Sequence, residues 1–506
     1  MEADRGEAAR RFHDATKHSY QSVRHVPHFL DWENQPLPFK LYRALGEIPL
    51  SDVSEAGKVS ALGAMNTPTS SRNSNKALDL EALARVLFYT AGITKKRDHP
   101  GGQMLFRAAA CTGALYHIEL YLVSGAVDGL DAGVYHYGPK LGALARLRDG
   151  DWRESLIEAT GGAPRLREAQ AAIVLTSTYW RNAWKYQARA YRHTFWDSGT
   201  MLANLLAMTS SLDLPAYLVL GFADEEVNRL LDVDSDKEVA VAIVALGGGA
   251  LDIPGAPGAA EPLGLETVPL SFSEVDYPLI RETHSASSLR DGEGARSWRE
   301  QGAVPPRPRR EDARPAEDGT APIESVIRRR GSSRRFERAS ISYDALSTIL
   351  ATAGIDGDVF DSGAILTDLY VIANDVDELA QGTYVYEPEE KALALLKKGS
   401  FRSEARYLGL EQELPGDASA NIYVLVSLEP LLERLGDRGY RRAQLEGGIV
   451  GGRIYLASYA LGLGASGLTF FDDAVTEFFS PHAAGKAVMF LVAVGVPRKR
   501  KAASGR

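Results

Sequence analysis

The sequence predicts an α+β chain made of two similar halves that pair within one polypeptide as a pseudo-dimer. Three observations predict it. The pattern Arg-x-Ser-x-Lys/Arg occurs twice, as Arg72-Asn73-Ser74-Asn75-Lys76 and as Arg330-Gly331-Ser332-Ser333-Arg334. The elements expected after each copy follow in the same order. At 506 residues the chain is too long for one ordinary core and comfortable for two.

Each copy of the pattern precedes an expected helix, over 80–91 and over 343–353. Two fixed cations with a hydroxyl between them, at a helix start, suit a phosphate monoester. The cations neutralise it, the hydroxyl donates to it, and free backbone N–H groups point at it. A single such string reads as a solvated helix cap; the duplicated context reverses that reading. A Gly-containing turn then leads into a strand. The turns are Cys111-Thr112-Gly113-Ala114 and Asp361-Ser362-Gly363-Ala364, and the strands are expected over 115–123 and 365–372. A second strand follows, with Tyr135-His136-Tyr137 or Tyr384-Val385-Tyr386, and then an apolar strand over 171–176 or 420–426. A long helix starts at Arg189-Ala190-Tyr191-Arg192 or Arg438-Gly439-Tyr440-Arg441 and runs on through small residues. Gly447, Gly448, Gly451 and Gly452 would weaken a lone helix and predict a close neighbour. The last strands are expected over 239–246 and 487–494. The repeat is therefore one domain long, as in a homodimer fused into one chain.

The boundaries expected are an N-terminal arm over 1–60, a first domain over 61–280, a linker over 281–321, a second domain over 322–500 and a tail over 501–506. The arm is aromatic and Pro-rich with little periodicity, so it reads as irregular chain packed on a folded body. Within it, His25 and His28 read as structural, since no third metal ligand is near. Residues 301–320 are dense in Pro and charge and cannot bury a core.

Composition excludes several classes. The net charge is -9, which gives no basic face for nucleic acid. The one cysteine, Cys111, excludes an intrachain disulfide and a multi-cysteine metal site; it reads as a small buried residue. No secretory h-region and no membrane-length apolar run is visible, so a soluble, cytoplasmic protein is expected. Gly462-x-Gly464-x-x-Gly467 matches a dinucleotide fingerprint by letters, but it follows a helix rather than a strand and is rejected.

In this order, the doubled phosphate clamp, the Ser/Thr-Gly turn and the loop containing Leu220-Gly221-Phe222 or Leu468-Thr469-Phe470-Phe471 resemble the FMN-binding nitroreductase superfamily. The finer resemblance is to its SagB/ThcOx-type azoline dehydrogenases in a tandem two-domain form. It rests on Thr16-Lys17-His18-Ser19, Leu30-Asp31-Trp32, Gly113-Ala114-Leu115-Tyr116, Glu119-Leu120-Tyr121 and the two Arg-x-Tyr-Arg helix starts.

The resemblance implies two FMN sites. Arg72, Ser74 and Lys76 would hold one phosphate; Arg330, Ser332 and Arg334 would hold the other. Arg498 or Arg500 would supply the C-terminal cation that reaches the flavin. The backbone N–H of Gly221 would face flavin N5, with Phe470 as its second-half equivalent. Each turn would complete the opposite site: Thr112 and Gly113 the second-half site, Ser362 and Gly363 the first-half site. Lys185-Tyr186 matches the family's proton-abstracting pair, a desolvated Lys or a Lys-lowered Tyr serving as base. Arg434-Leu435 stands in its place in the second half.

The function expected is oxidation of a peptide or small heterocycle by proton abstraction with hydride transfer to flavin, and oxygen reoxidising the flavin. An NAD(P)H-dependent nitro- or quinone reductase and a non-catalytic tandem that binds flavin or a partner are the competing readings. Further homo-oligomerisation stays open.

Overall fold

The computed structural model describes all residues except 1–4, 26–27, 54–56, 69–74, 100–101, 250–251, 303–319, 356, 364–365 and 499–506. Two antiparallel sheets form the body. The first runs in the order Ala143–Asp149, Gly133–Gly138, Ile118–Ser124, Ala171–Thr178, Glu238–Leu246, Ala216–Val219, with Glu47–Pro49 on its outer edge. The second repeats that order as Ala392–Lys398, Gly382–Glu387, Thr367–Ala373, Ala420–Ser427, Lys486–Pro497, Gly464–Gly467. Phe336–Glu337 also pairs with Lys486–Pro497. The central strands Ala171–Thr178 and Glu238–Leu246 are buried along their whole length. Burial on both faces removes the polar alternation of a half-exposed strand and leaves near-continuous apolar runs. Gly464–Gly467 is a strand, so its glycines serve pairing and not a nucleotide.

The helices after the clamps are Leu80–Ala91 and Tyr343–Ala353. Both are capped alike: Asp79 accepts from Ala82 N at 2.7 Å and Ser342 from Ala345 N at 3.2 Å.

The halves meet along their long helices, Ala190–Ser211 and Asp437–Ala460. Glycine permits the crossing. A Cβ on Gly448 would lie 2.6 Å from Trp196 O, and one on Gly199 would lie 2.5 Å from Ile449 N. The backbones touch there, as the glycine run requires.

Reciprocal ion pairs lock the interface. Arg438 and Arg441 hold Asp224 of the other half, each at 2.6 Å. Arg189 at 3.0 Å and Arg192 at 2.5 Å hold Asp472 in the same way. All six side chains are buried.

Those ion pairs also correct two expectations. Arg192 Nε donates to Thr16 Oγ1 at 2.9 Å, and Arg441 Nε donates to Ser287 Oγ at 2.7 Å. Asp472 accepts from His18 N at 2.8 Å, and Asp224 accepts from Leu289 N at 2.9 Å. The stretch from helix Glu7–Ala15 to His18 is thus repeated by the stretch from helix Pro278–Ala286 to Leu289. The start of the arm is helical, with helices Glu7–Ala15 and Tyr20–His25, while its described residues over 28–46 are largely irregular as expected. The linker expected over 281–321 is in fact folded as far as helix Gly292–Gly302. Aperiodic polar sequence hid both, because each helix packs through only a few residues. Among the described residues no helix is long and apolar enough to cross a membrane.

Candidate functional site

The helix Tyr179–Tyr186 carries Lys185 and Tyr186 at its end. Arg181 anchors it by donating to Tyr116 O at 3.1 Å and to Glu119, whose other oxygen pairs with His136 at 3.0 Å. Burial pushes the Glu119 carboxyl up, but Arg181 and His136 outweigh it and hold the group well below the usual carboxylate range. His28 bonds Trp184 O at 2.8 Å, and Trp184 Nε1 donates to Asp31 O at 2.9 Å, so the arm braces the same helix.

Tyr186 lies against the turn of its own half. Gly113 has φ 65°, and a Cβ there would come within 2.8 Å of the Tyr186 hydroxyl. Only glycine suits both the backbone angle and the approach. Asp197 fixes the turn. It accepts from Thr112 N at 3.0 Å, Thr112 Oγ1 at 2.8 Å, Cys111 Sγ at 3.1 Å and His117 at 2.9 Å. Cys111, His117 and Asp197 are close enough to share a metal ion, but these bonds already use the carboxylate. Burial pushes the Cys111 thiol up, which makes it a poor nucleophile. Asp197 was missed in the sequence because it sits inside a buried apolar helix; its counterpart Glu446 holds Leu366 N at 2.7 Å.

The second-half clamp meets these residues from across the interface. Arg330 donates to Ala108 O at 2.9 Å and Arg107 O at 3.1 Å, which ties the clamp to the first half. Ser332 Oγ is 3.0 Å from the Tyr455 hydroxyl. Arg334 is exposed, and its positive charge acts on Tyr186. Among the described residues Arg334 makes no ion pair or hydrogen bond. Lys185 likewise makes none, and its Nζ lies 5.3 Å from the Tyr186 ring centre.

The pairing of Gly221 with Phe470 is corrected. Asp224 and Asp472 are equivalent by their arginine pairs, so counting back matches Gly221 with Thr469 and Phe222 with Phe470. Phe470 is fully buried and its ring lies 5.6 Å from Arg189, as Phe222 lies 4.5 Å from Arg438. Thr469 Oγ1 is buried without a hydrogen-bond partner, and among the described residues the Thr469 N–H donates to nothing. A buried orphan donor of this kind fits a polar ligand edge.

The first-half pocket is different. Arg72 and Ser74 lie outside the described residues, as does Arg500. Lys76 donates its Nζ to Leu212 O. Gly221 is buried, and its N–H donates to Asp361 Oδ2 at 2.9 Å rather than facing open space. Ser362 is buried, and Gly363 O accepts from Arg442 at 2.9 Å. Arg498 is exposed and its backbone N–H donates to Arg335 O at 3.1 Å.

One base assignment changes. Burial, with Asp197 adding to it, raises Tyr186 well above an ordinary phenol, and Arg334 only partly offsets this. Burial thus works against a Lys-lowered tyrosine base, because desolvation outweighs the charge of Arg334. Tyr186 keeps its proton at neutral pH.

Comparison with known proteins gives the same outline. The profile of the Nitroreductase family matches residues 74–248 and again residues 327–496. A crystal structure of a candidate nitroreductase from Anabaena variabilis superposes with a TM-score of 0.76 at 28% identity, covering 97% of this chain and 99% of that one. A candidate nitroreductase of Methanocaldococcus jannaschii is 26% identical over 170 residues, which are 34% of this chain and 81% of that protein. The microcin B17-processing protein McbC of Escherichia coli is 29% identical over 154 residues, 29% of this chain and 53% of McbC. The chain spans about half the length of McbC. The two profile matches, the repeated strand order and the full-length superposition together place this chain in the nitroreductase family of oxidoreductases, as two fused copies of its domain.

Proposed function

We propose that the chain is an FMN-dependent dehydrogenase of the azoline type, acting on a peptide or a small heterocycle. One observation carries this reading. Tyr186 and Gly113 of the first half lie together within the field of Arg334 of the second half, and Thr469 adjoins Phe470, whose ring packs through Trp196 and His193 to Tyr186. The likeness to McbC supports the substrate class.

The residues present suit the cofactor at this place. Arg334 and Ser332 would hold a phosphate, with Arg330 fixing the clamp from behind. The N–H and hydroxyl of Thr469 would meet acceptors on the ring edge. Bound there, FMN supplies a two-electron acceptor. The chain's own residues do the rest. Lys185, when neutral, takes the proton from the substrate C–H. Tyr186 stays protonated, so it donates a hydrogen bond and orients the substrate. His193, 4.6 Å from Tyr186 ring to ring, is held neutral first by burial and then by Arg189. It bonds Asn182 at 2.7 Å and backs the tyrosine without adding charge.

The test is purification of the chain and of Lys185→Ala. A yellow protein, with a variant that keeps its flavin but loses oxidation of a thiazoline- or oxazoline-containing peptide, is the expected result. Full turnover by the variant refutes the base. Rapid anaerobic bleaching by NAD(P)H, with no peptide turnover, would favour a reductase.

A further inference from the structure

The two pockets related by the pseudo-twofold axis are covered by copies of one segment, and the copies differ. Helix Tyr20–His25 follows Thr16 and His18 as helix Gly292–Gly302 follows Ser287 and Leu289. Arg24 of the first reaches Glu411 at 2.7 Å, while Arg296 of the second reaches Gly161 O at 3.0 Å, so each helix is tied to the loop after the matching helix, Arg402–Leu408 or Arg153–Ala159. The first helix ends at His25, where the sequence continues Val26-Pro27. Proline disfavours helix at the residue before it and removes a donor. The second helix has no proline and runs on to Gly302.

That extra length enters the first pocket. A Cβ on Gly221 would meet Arg299 Cγ at 2.8 Å, Ala295 O at 2.9 Å and Trp298 Cε3 at 3.2 Å. No methyl group fits there, so no ring can stack. Arg299 donates to Gly221 O at 3.1 Å and to Thr160 O. Trp298 Nε1 donates to Leu435 O at 3.1 Å. The opposite wall is equally committed. Asp361 stands where the first half has Cys111, and it takes the N–H groups of Leu220 at 3.1 Å and Gly221 at 2.9 Å. The Arg442 guanidinium lies 3.4 Å from the Phe360 ring centre. The void left among Phe195, Leu220, Trp298 and Arg442 is about 10 Å³. That is room for about one water, against the roughly 300 Å³ or more of a ligand pocket.

We propose that helix Gly292–Gly302 permanently plugs the first-half pocket, so that each chain binds a single FMN at the site containing Arg334 and Thr469. This rests on the functional reading above for the second site alone. The described residues over Gly221 do not fit the cofactor, because Arg299 and Trp298 fill the space a ring would take and the Gly221 N–H is already bonded to Asp361.

The test is titration of the flavin-stripped full chain with FMN by calorimetry, beside Arg334→Glu. Arg334 is exposed, so the reversal of charge leaves folding intact. One FMN per wild-type chain and none per Arg334→Glu chain is the expected result. Two per wild-type chain, or one remaining in Arg334→Glu, overturns the plug. A wild-type chain that takes up none refutes the cofactor reading and with it the count of one FMN per chain.

Discussion

Replacing Asp224 by asparagine probes the reciprocal ion pairs that hold the halves together. Burial alone would raise this carboxyl, but Arg438 and then Arg441 outweigh burial and lower it from 3.8 to about 2. At about 1.36 kcal/mol per pKa unit, that is on the order of 2 kcal/mol in favour of the folded state at neutral pH. Asparagine also leaves two buried guanidinium groups without a counter-charge, and breaking a buried pair this way costs about 3–5 kcal/mol. The two figures agree in scale. With about 2–4 °C of melting temperature per kcal/mol in domains of this size, the loss is on the order of 10 °C. The assay is a thermal melt of both proteins at pH 7, followed by melts at falling pH. The folded-state pKa is depressed, so the stabilisation is present above about pH 4 and is lost as the pH falls towards about 2. The gap between wild type and Asp224→Asn should therefore close over that window. Asp131, exposed and 2.9 Å from Arg146, is the control, and Asp131→Asn should melt with the wild type. A loss under about 2 °C at pH 7 for Asp224→Asn would show that the interface does not depend on this charge.

Gly448→Val should cost about 3 kcal/mol or more and depress soluble yield, because its side chain would start 2.6 Å from Trp196 O. Gly331→Ala, whose Cβ would meet only the Tyr459 hydroxyl at 3.6 Å, should be neutral by the same thermal melt. Lys185→Ala should lower turnover by about 10²–10⁴-fold while the flavin spectrum is kept; a smaller loss in single-turnover measurements removes the lysine from the chemistry. Tyr186 is raised above its ordinary value of 10.0 by burial. No alkaline limb below about pH 10 in kcat/KM should therefore come from this phenol, and Tyr186→Phe should leave the shape of the pH profile unchanged.

The local parts of the fold were written plainly in the chain. The duplicated order of elements predicted two halves, and the helices expected at 80–91 and 343–353 form there. The glycine run at 447–452 predicted a close neighbour, which is the helix carrying Trp196 and Thr200. These signals are short-range: capping, pattern period and backbone sterics act within a few residues, so sequence order carries them. The repeat of the arm at 278–289 was not legible, because its likeness lies in hydrogen bonds from Thr16 and Ser287 and not in matching letters. Asp361 read as part of a cofactor turn, and only packing showed it bonded to Gly221.

By itself, the sequence determined that this is a two-copy α+β chain in which Arg-x-Ser-x-Lys/Arg occurs twice, and it named candidate residues for its chemistry. The tertiary structure decided how those residues are shared out. Lys185-Tyr186 looked like equipment of the first site, yet Tyr186 feels the charge of Arg334 of the second half. Gly221 looked like a flavin contact, yet Trp298 and Arg299 cover it. The reason is physical. Which half completes which pocket depends on two helices crossing at Gly199 and Gly448, and on one arm helix that ends before Pro27 while its copy runs to Gly302.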